Sequence, residues 1–177
     1  MHFSDLNLNK PLLKAIFEKN YETPTKVQIQ TIPLVLAKKN VIASAQTGTG
    51  KTAAFALPIL QLLFHQQDTN KEQKKIRALI VSPTRELAVQ INEEFTDYSK
   101  YTKLSSTVVY GGISIDTQKK VLKKGVDILI ATPGRLLDLC KQEIVDLSTI
   151  EISVLDEADL MLDMGFIDDI KKINLLC

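Results

Sequence analysis

Short runs of hydrophobic residues, rich in β-branched side chains, recur along the chain. Five of them lie at residues 41–43, 78–81, 107–109, 128–130 and 152–155. Continuous hydrophobic runs of this length are typical of parallel strands that are covered on both faces. The pattern therefore predicts five buried parallel strands.

Most of the remaining segments repeat their hydrophobic residues every three or four positions, as amphipathic helices do. Between residues 85 and 98, for example, Leu87, Ile91 and Phe95 fall on one stripe. The alternation of strand and helix predicts an α/β fold with a mostly parallel sheet, helices on both faces and ligands at the carboxyl ends of the strands. Helices are predicted at residues 9–19, with Asn9 as N-cap, and at 25–37, 51–63, 85–98 and 117–124.

The first two predicted helices precede the first predicted strand. Residues 1–37 are therefore expected to form an N-terminal helical layer, and residues 38–177 the α/β domain. The polar stretch at residues 68–75 has no hydrophobic residue to bury and predicts a solvated loop.

Composition narrows the class of protein. The 22 basic and 21 acidic residues give a net charge of +1, so any contact with nucleic acid must be local. Cys140 and Cys177 lack the spacing of a metal site, which predicts reduced thiols and no structural metal. No leader peptide or membrane span is recognisable, and we expect a cytoplasmic monomer.

A glycine-containing loop follows the first predicted strand and enters the helix that begins at Lys51. Backbone N–H groups at such a helix start bind phosphate. Lys51 is predicted to reach the β- and γ-phosphates, and the Thr52 hydroxyl to bind Mg²⁺. Ala45 stands where the usual phosphate-loop pattern has glycine. The alternative to a phosphate site is an ordinary strand-to-helix turn with a surface lysine. The loop comprises Ala45, Gln46, Thr47, Gly48, Thr49, Gly50, Lys51 and Thr52.

Two carboxylates, Asp156 and Glu157, follow the last predicted strand. One acid in this arrangement can hold Mg²⁺ while its neighbour activates the attacking water. We assign Asp156 to the metal and Glu157 to the general base. The alternative is that both acids cap the next helix.

The phosphate loop followed by Asp156-Glu157-Ala158-Asp159 resembles the signature of the DEAD-box RNA helicases. The resemblance covers nearly the whole chain, and the phosphate loop is most similar to that of the bacterial RhlE-like group. It implies a RecA-like P-loop domain that uses ATP and Mg²⁺, with Lys51, Asp156 and Glu157 as catalytic residues.

Residues 21–28 resemble the Q motif of this family, which reads adenine, and Phe3 matches an upstream aromatic. The resemblance implies ATP over GTP, with Gln28 bonding the adenine edge and Phe3 stacking on its face. Asn20 replaces a family glycine but tolerates positive φ. Alternatively, Phe3 and Gln28 are ordinary residues of the helical layer. The implied nucleotide-binding residues outside the phosphate loop are Phe3, Tyr21, Thr25 and Gln28.

Three further segments, each after a predicted strand, resemble RNA-facing motifs of the family. Hydroxyls, helix-start N–H groups and arginines grip a sugar-phosphate backbone without reading bases, so RNA binding is expected to be independent of sequence. Each segment taken alone is also an ordinary turn. The implied RNA-binding residues are Pro83, Thr84, Arg85, Gly111, Gly112, Thr132, Pro133, Gly134 and Arg135.

The family continues with a Ser-Ala-Thr motif and a second RecA-like domain, neither of which occurs in residues 1–177. Family topology places the Ser-Ala-Thr strand between the phosphate-loop strand and the strand at residues 152–155, so its absence leaves backbone groups unpaired. We expect the parent protein to extend further, with the second domain as a partner.

Three hypotheses for function follow. The chain is the ATP-binding half of an ATP-dependent RNA helicase that remodels short duplexes, or it is a non-catalytic ATP- and RNA-binding module when isolated. The third hypothesis, another P-loop enzyme such as a small-molecule kinase, lacks a recognisable acceptor pocket and lid.

Overall fold

The computed structural model describes residues 1–46, 48–65 and 75–177. Thr47 and all of the predicted loop at residues 68–75 except Lys75 lie outside the described residues. The chain divides into two compact units, one made of residues 1–68 and 93–104 and the other of residues 69–92 and 105–177.

The first unit is helical. It contains a short 3-10 helix, Phe3–Leu6, then α1 (Lys10–Glu18), α2 (Lys26–Leu36) and α3 (Lys51–His65), and the last turns of α4 (Arg85–Ser99). The Asn9 side chain accepts a hydrogen bond from the Leu12 N–H at 3.0 Å, which confirms Asn9 as the N-cap of α1. Helix α2 packs against α3. The core of this unit includes Leu12, Ile16, Ile32, Leu57, Leu60 and Phe95.

The second unit is built on a four-stranded parallel sheet in the order β2-β3-β1-β4. The strands are β1 (Ala78–Val81), β2 (Ser106–Val109), β3 (Ile128–Ala131) and β4 (Ile152–Leu155). Ala78 lies opposite Ile128 on one side and Ile152 on the other. Strands β1 and β3 are buried at every residue, as expected for continuous hydrophobic runs at the centre of a sheet.

Helices of this unit follow the strands in the predicted α/β alternation. They are α5 (Ile115–Leu122), α6 (Pro133–Lys141), α7 (Ala158–Asp163) and α8 (Ile167–Leu176), together with the first turns of α4. The predicted helix at residues 117–124 begins two residues earlier in the structure, because Ser114 caps α5 by accepting from the Asp116 N–H. The core of the unit joins strand residues such as Leu79 and Leu129 to Leu136, Met161 and Ile173 of the helices.

The prediction of a buried strand at residues 41–43 is wrong. Residues 41–46 form no strand, and the Ile42 side chain is fully exposed. A strand is held by hydrogen bonds to a neighbour, and hydrophobic residues without one gain nothing from an extended backbone. Among the described residues the sheet ends at β4, which pairs with β1 alone. None of the four residues of β4 is buried, so the prediction of a buried strand at residues 152–155 is correct for the strand and wrong for its burial.

Among the helices of the described residues, none is both long and apolar enough to cross a membrane.

Candidate functional site

The phosphate loop leads directly into α3 in the first unit. Gly48 and Gly50 adopt φ values of 82° and 83°, which are left-handed conformations that favour glycine. The loop is held by Thr49, whose hydroxyl donates to the Gln46 carbonyl oxygen at 2.6 Å. Helix α3 begins at Lys51, so the N–H groups of its first turn and the positive end of its dipole face the loop.

The space around the two glycines fits a phosphate group. A Cβ added at Gly48 would meet no atom within 4 Å, so the backbone there is open to a ligand. A Cβ at Gly50 would lie 2.3 Å from Nε2 of Gln28, so this position admits only glycine without a shift. The open backbone, the helix start and Lys51 together form a suitable anion site.

Gln28 connects the Q-motif segment to the phosphate loop. Its side chain is buried, its Nε2 donates to the Gly50 carbonyl oxygen at 3.1 Å, and its Oε1 accepts from the Thr25 N–H at 2.9 Å. A glutamine amide has two donor protons and two acceptor lone pairs. One of each remains after these contacts, but the side chain is only 3% exposed, so the structure shows a structural role for Gln28 and its contact with the adenine edge stays a prediction.

The two aromatic residues predicted to contact the base differ in exposure. Phe3 is 4% exposed, so its ring belongs to the core of the first unit, whereas Tyr21 is 42% exposed. The burial of Phe3 agrees with the alternative that it is an ordinary residue of the helical layer, and its stacking on adenine stays a prediction. Asn20 adopts φ 57°, which confirms that asparagine meets the left-handed conformation expected there.

The predicted catalytic acids follow β4 in the second unit. The Asp156 N–H donates to the Val81 carbonyl oxygen at 2.9 Å, which fixes the backbone at the end of the sheet. Glu157 adopts φ 52° and ψ 49° and occupies the N-cap position of α7, but its side chain makes no capping hydrogen bond. The alternative reading of Glu157 as a helix cap is therefore not supported.

The three predicted RNA-facing segments converge on one cleft of the second unit. They follow β1, β2 and β3, and parallel strands bring their carboxyl ends to the same edge of the sheet. The cleft has a volume of about 440 Å³. Its lining includes seven predicted residues, Pro83, Arg85, Gly111, Thr132, Pro133, Gly134 and Arg135, while Thr84 and Gly112 are not among the lining residues.

Two arginines and one aspartate line the cleft, and Oδ2 of Asp138 lies 4.0 Å from Nε of Arg135. The Arg85 guanidinium lies 4.8 Å from the centre of the Tyr110 ring, a cation–π contact that holds it in place. Arg135 donates from Nη2 to the Ile113 carbonyl oxygen at 3.1 Å, while its Nη1 is buried without a hydrogen-bond partner. A buried guanidinium nitrogen whose N–H has no acceptor lowers the stability of the fold, unless a ligand oxygen accepts a hydrogen bond from it.

Three lining residues, Tyr110, Asp138 and Phe166, were not predicted. Tyr110 directly precedes Gly111, and an aromatic beside a glycine pair was the only sequence signal for it. Phe166 lies some thirty residues after Arg135 in the chain and reaches the cleft through the packing of α8 on α6. No local pattern links these positions, so only the folded unit shows that they share a site.

Comparison with known proteins gives consistent results. The chain is 47% identical over 171 residues to the DEAD-box ATP-dependent RNA helicase RhpA of Helicobacter pylori, a match that covers 97% of this chain and 33% of that protein. It is 50% identical over 173 residues to the ATP-dependent RNA helicase CshA of Limosilactobacillus reuteri, covering 98% and 34%. The chain thus spans about a third of the length of these curated relatives.

Solved structures match in fold as well. A DEAD box protein from Methanococcus jannaschii aligns with a TM-score of 0.89 and 41% identity over all of this chain and 47% of that one. A hypothetical ATP-dependent RNA helicase from Sulfolobus tokodaii aligns with a TM-score of 0.86 and 44% identity over 96% and 47%. The family model for DEAD/DEAH box helicases matches residues 25–176, so the chain belongs to the DEAD/DEAH box helicase family.

Proposed function

We propose that this chain is the ATP-binding half of an ATP-dependent RNA helicase and works together with a second RecA-like domain. The observation that carries the proposal is the cleft of the second unit, where three separate strand-end segments present two arginines and a helix start. These are the groups that hold a sugar-phosphate backbone. The phosphate loop at the start of α3 supplies the nucleotide site that such a motor needs.

At the phosphate loop, Lys51 would hold the β- and γ-phosphates, and the hydroxyl of Thr52 would bind Mg²⁺. Asp156 would hold the metal and Glu157 would orient and deprotonate the attacking water. The left-handed backbone of Glu157 supports a functional role, because strain is retained where the side chain must point in a set direction. Bound Mg²⁺ would neutralise the charge that develops on the phosphates.

On the adenine side, Tyr21 supplies an exposed ring and Gln28 supplies one remaining donor and one remaining acceptor. Thr25 positions Gln28 through its backbone N–H. Because Gln28 also bonds the Gly50 carbonyl, base contact and phosphate-loop geometry are linked directly. The preference for ATP over GTP rests on the resemblance of residues 21–28 to the Q motif.

RNA in the cleft would be gripped by its backbone. Arg85, held over the Tyr110 ring, and Arg135, which lines the cleft, would donate to phosphate oxygens, and the N–H groups at the start of α6 add a further anion site. None of these groups distinguishes one base from another. RNA binding is therefore expected to be independent of the RNA sequence. We further expect the protein to be monomeric and cytoplasmic.

The isolated chain is expected to bind ATP and RNA but to hydrolyse ATP very slowly. In phosphoryl transfer, an arginine supplied from outside the nucleotide site contributes roughly 10³- to 10⁵-fold in rate. The resemblance to DEAD-box helicases places such arginines in the second RecA-like domain. A non-catalytic binding module is thus the behaviour expected of the fragment, and a helicase that of the longer protein.

The test is ATP hydrolysis by this chain and by a protein of the relatives' length, each with and without single-stranded RNA. Lys51→Ala serves as the blank for both. RNA-stimulated turnover by the longer protein alone is the expected result. Turnover by this chain that is independent of RNA would overturn the proposal in favour of another P-loop enzyme.

A further inference from the structure

The loop at residues 110–114 joins β2 to α5 in the second unit and carries the Gly111–Gly112 pair. A Cβ added at either glycine would meet no atom within 4 Å, so the backbone of both faces open space. Gly112 adopts φ 83°, a left-handed conformation that favours glycine. A loop with so little side-chain packing of its own needs contacts from neighbouring elements to keep one conformation.

Two side chains from outside the loop hold its two ends. Nε2 of Gln118 on α5 donates to the Tyr110 carbonyl oxygen at 2.9 Å. Nη2 of Arg135 on α6 donates to the Ile113 carbonyl oxygen at 3.1 Å. The carbonyl group before the glycine pair and the one after it are therefore both fixed by helices of the same unit.

The residue that Gln118 holds is also the residue that holds an arginine. The Arg85 guanidinium lies 4.8 Å from the centre of the Tyr110 ring, and both residues line the cleft. This cation–π contact depends on the direction of the ring face, which in turn depends on the backbone of residue 110. One line of contacts thus runs from Gln118 through Tyr110 to Arg85, entirely within the second unit.

Core stability does not account for the Gln118 amide. Gln118 is only 5% exposed, and within the described part of the chain its Oε1 has no hydrogen-bond partner. A buried acceptor without a donor lowers the stability of the fold, and an apolar side chain of similar length avoids that loss. Leu122, one turn later on α5, is a buried residue of the apolar kind. The contact with the Tyr110 carbonyl is therefore the feature that explains a glutamine at this position.

We infer that Gln118 is a positioning residue of the RNA cleft: its amide fixes the Tyr110 backbone and, through the Tyr110 ring, directs Arg85 at an RNA phosphate. The inference rests on the proposed function, since it takes the cleft to hold an RNA backbone. It adds a buried, uncharged residue that does not touch RNA to those that set RNA affinity. A merely structural role would confine the effect of Gln118 to the stability of the fold.

The experiment measures the affinity of this chain for a fluorescein-labelled, single-stranded oligouridylate by anisotropy, at a series of salt concentrations. Gln118→Met removes the donor but keeps the length of the side chain. It is expected to weaken binding about fivefold, the size of the net contribution of one hydrogen bond. The slope of the salt dependence should fall by up to about 0.7, because one phosphate contact is weakened. Since this substitution changes no charge, a lower slope indicates that a charged group has moved.

Urea denaturation of the same variants separates positioning from stability. Gln118→Met should unfold at the wild-type urea concentration or above it, because the variant has no unpaired acceptor. Gln118→Asn, whose amide is one methylene too short for the Tyr110 carbonyl, should lose RNA affinity in the same way. The matched control is Gln61→Met, which replaces a buried glutamine that accepts from the Asn9 N–H in the first unit. This control should leave the RNA affinity and the salt slope unchanged.

A change in Tyr110 tests whether Gln118 acts through the ring. Tyr110→Leu removes the ring face, and its salt slope should fall as that of Gln118→Met does. In the double variant the slope should equal that of Tyr110→Leu alone, because both changes act on Arg85. Two slope losses that add would show that Gln118 does not act through Tyr110, and would overturn the inference.

An unchanged RNA affinity in Gln118→Met, or a weaker affinity with an unchanged salt slope, would also overturn the positioning role. Loss of the folded state in both Gln118 variants would do the same, because the amide would then be required by the core. A failure of the proposed function is seen in the wild-type chain instead. Absence of salt-dependent RNA binding there would reject the cleft as an RNA site, and the inference with it.

Discussion

Glu157 combines a catalytic assignment with an unusual backbone. Its φ of 52° lies in the left-handed region, which costs a residue with a side chain about 1–2 kcal/mol. The residue also makes no capping bond with α7, so helix formation does not explain the conformation. The proposed role as general base would account for it, because that role requires a set direction of the side chain.

Glu157→Gln is accordingly expected to keep ATP binding and to slow hydrolysis by the longer protein about 10²- to 10⁴-fold, because the amide cannot take the proton of water. Nucleotide titration and phosphate release measure the two effects. A loss of ATP binding would show that Glu157 has been assigned the wrong role.

Gly50 is constrained twice, by φ 83° and by the Gln28 amide that would lie 2.3 Å from an added Cβ. Gly50→Ala should therefore lower the free energy of unfolding by about 1–3 kcal/mol and weaken ATP binding, since the loop must shift. Gly111→Ala is the control, because a Cβ there meets nothing and φ is not positive. Urea denaturation and ATP titration test both variants, and equal behaviour would contradict the constraint.

Arg135 is expected to act on the RNA backbone. Arg135→Ala should weaken the binding of all single-stranded RNA sequences alike and reduce the slope of the salt dependence by about one. The measurement is fluorescence anisotropy with several RNA sequences at varied salt. Lys124→Ala removes an exposed positive charge away from the cleft lining and is the control. A loss confined to one sequence would mean that Arg135 reads bases.

At the scale of elements, helix starts were predicted well because their signals are local. Asn9, the periodic residues of α1 and the Lys51 start of α3 all lie within a few positions of the boundary that they set. The run at residues 41–43 carried a strand signal of the same quality as β1. It failed because a strand depends on a neighbour, which no local pattern provides.

Helix α1 offers a test of its cap. Asn9→Ala removes the acceptor of the Leu12 N–H and should lower the free energy of unfolding by about 1 kcal/mol. Asn9→Asp keeps an acceptor oxygen and is expected to be close to wild type. Urea denaturation followed by circular dichroism measures both, and a wild-type midpoint for Asn9→Ala would show that the cap contributes nothing.

At the scale of the whole molecule, β4 is an edge strand of the sheet. Within the part of the chain that the structure describes, strand β4 pairs with β1 on one side only, and none of its four residues is buried. In a protein of the relatives' length we expect a further strand on this side, which would protect the β4 amides. Hydrogen exchange of Ile152–Leu155 should be slower in the longer protein than in this chain, and equal rates would contradict the expected strand.

The sequence by itself determined the α/β alternation, the positions of α1 to α4, the order of the motifs and the family, because periodicity, capping and motif spacing are written in neighbouring residues. Only the tertiary structure decided that Phe3 is buried while Tyr21 is exposed, that Tyr110 and Phe166 join the cleft, and that Gln28 bonds the Gly50 carbonyl oxygen. Burial and side-chain contacts depend on residues that are distant in the chain. They exist only once the backbone has brought those residues together.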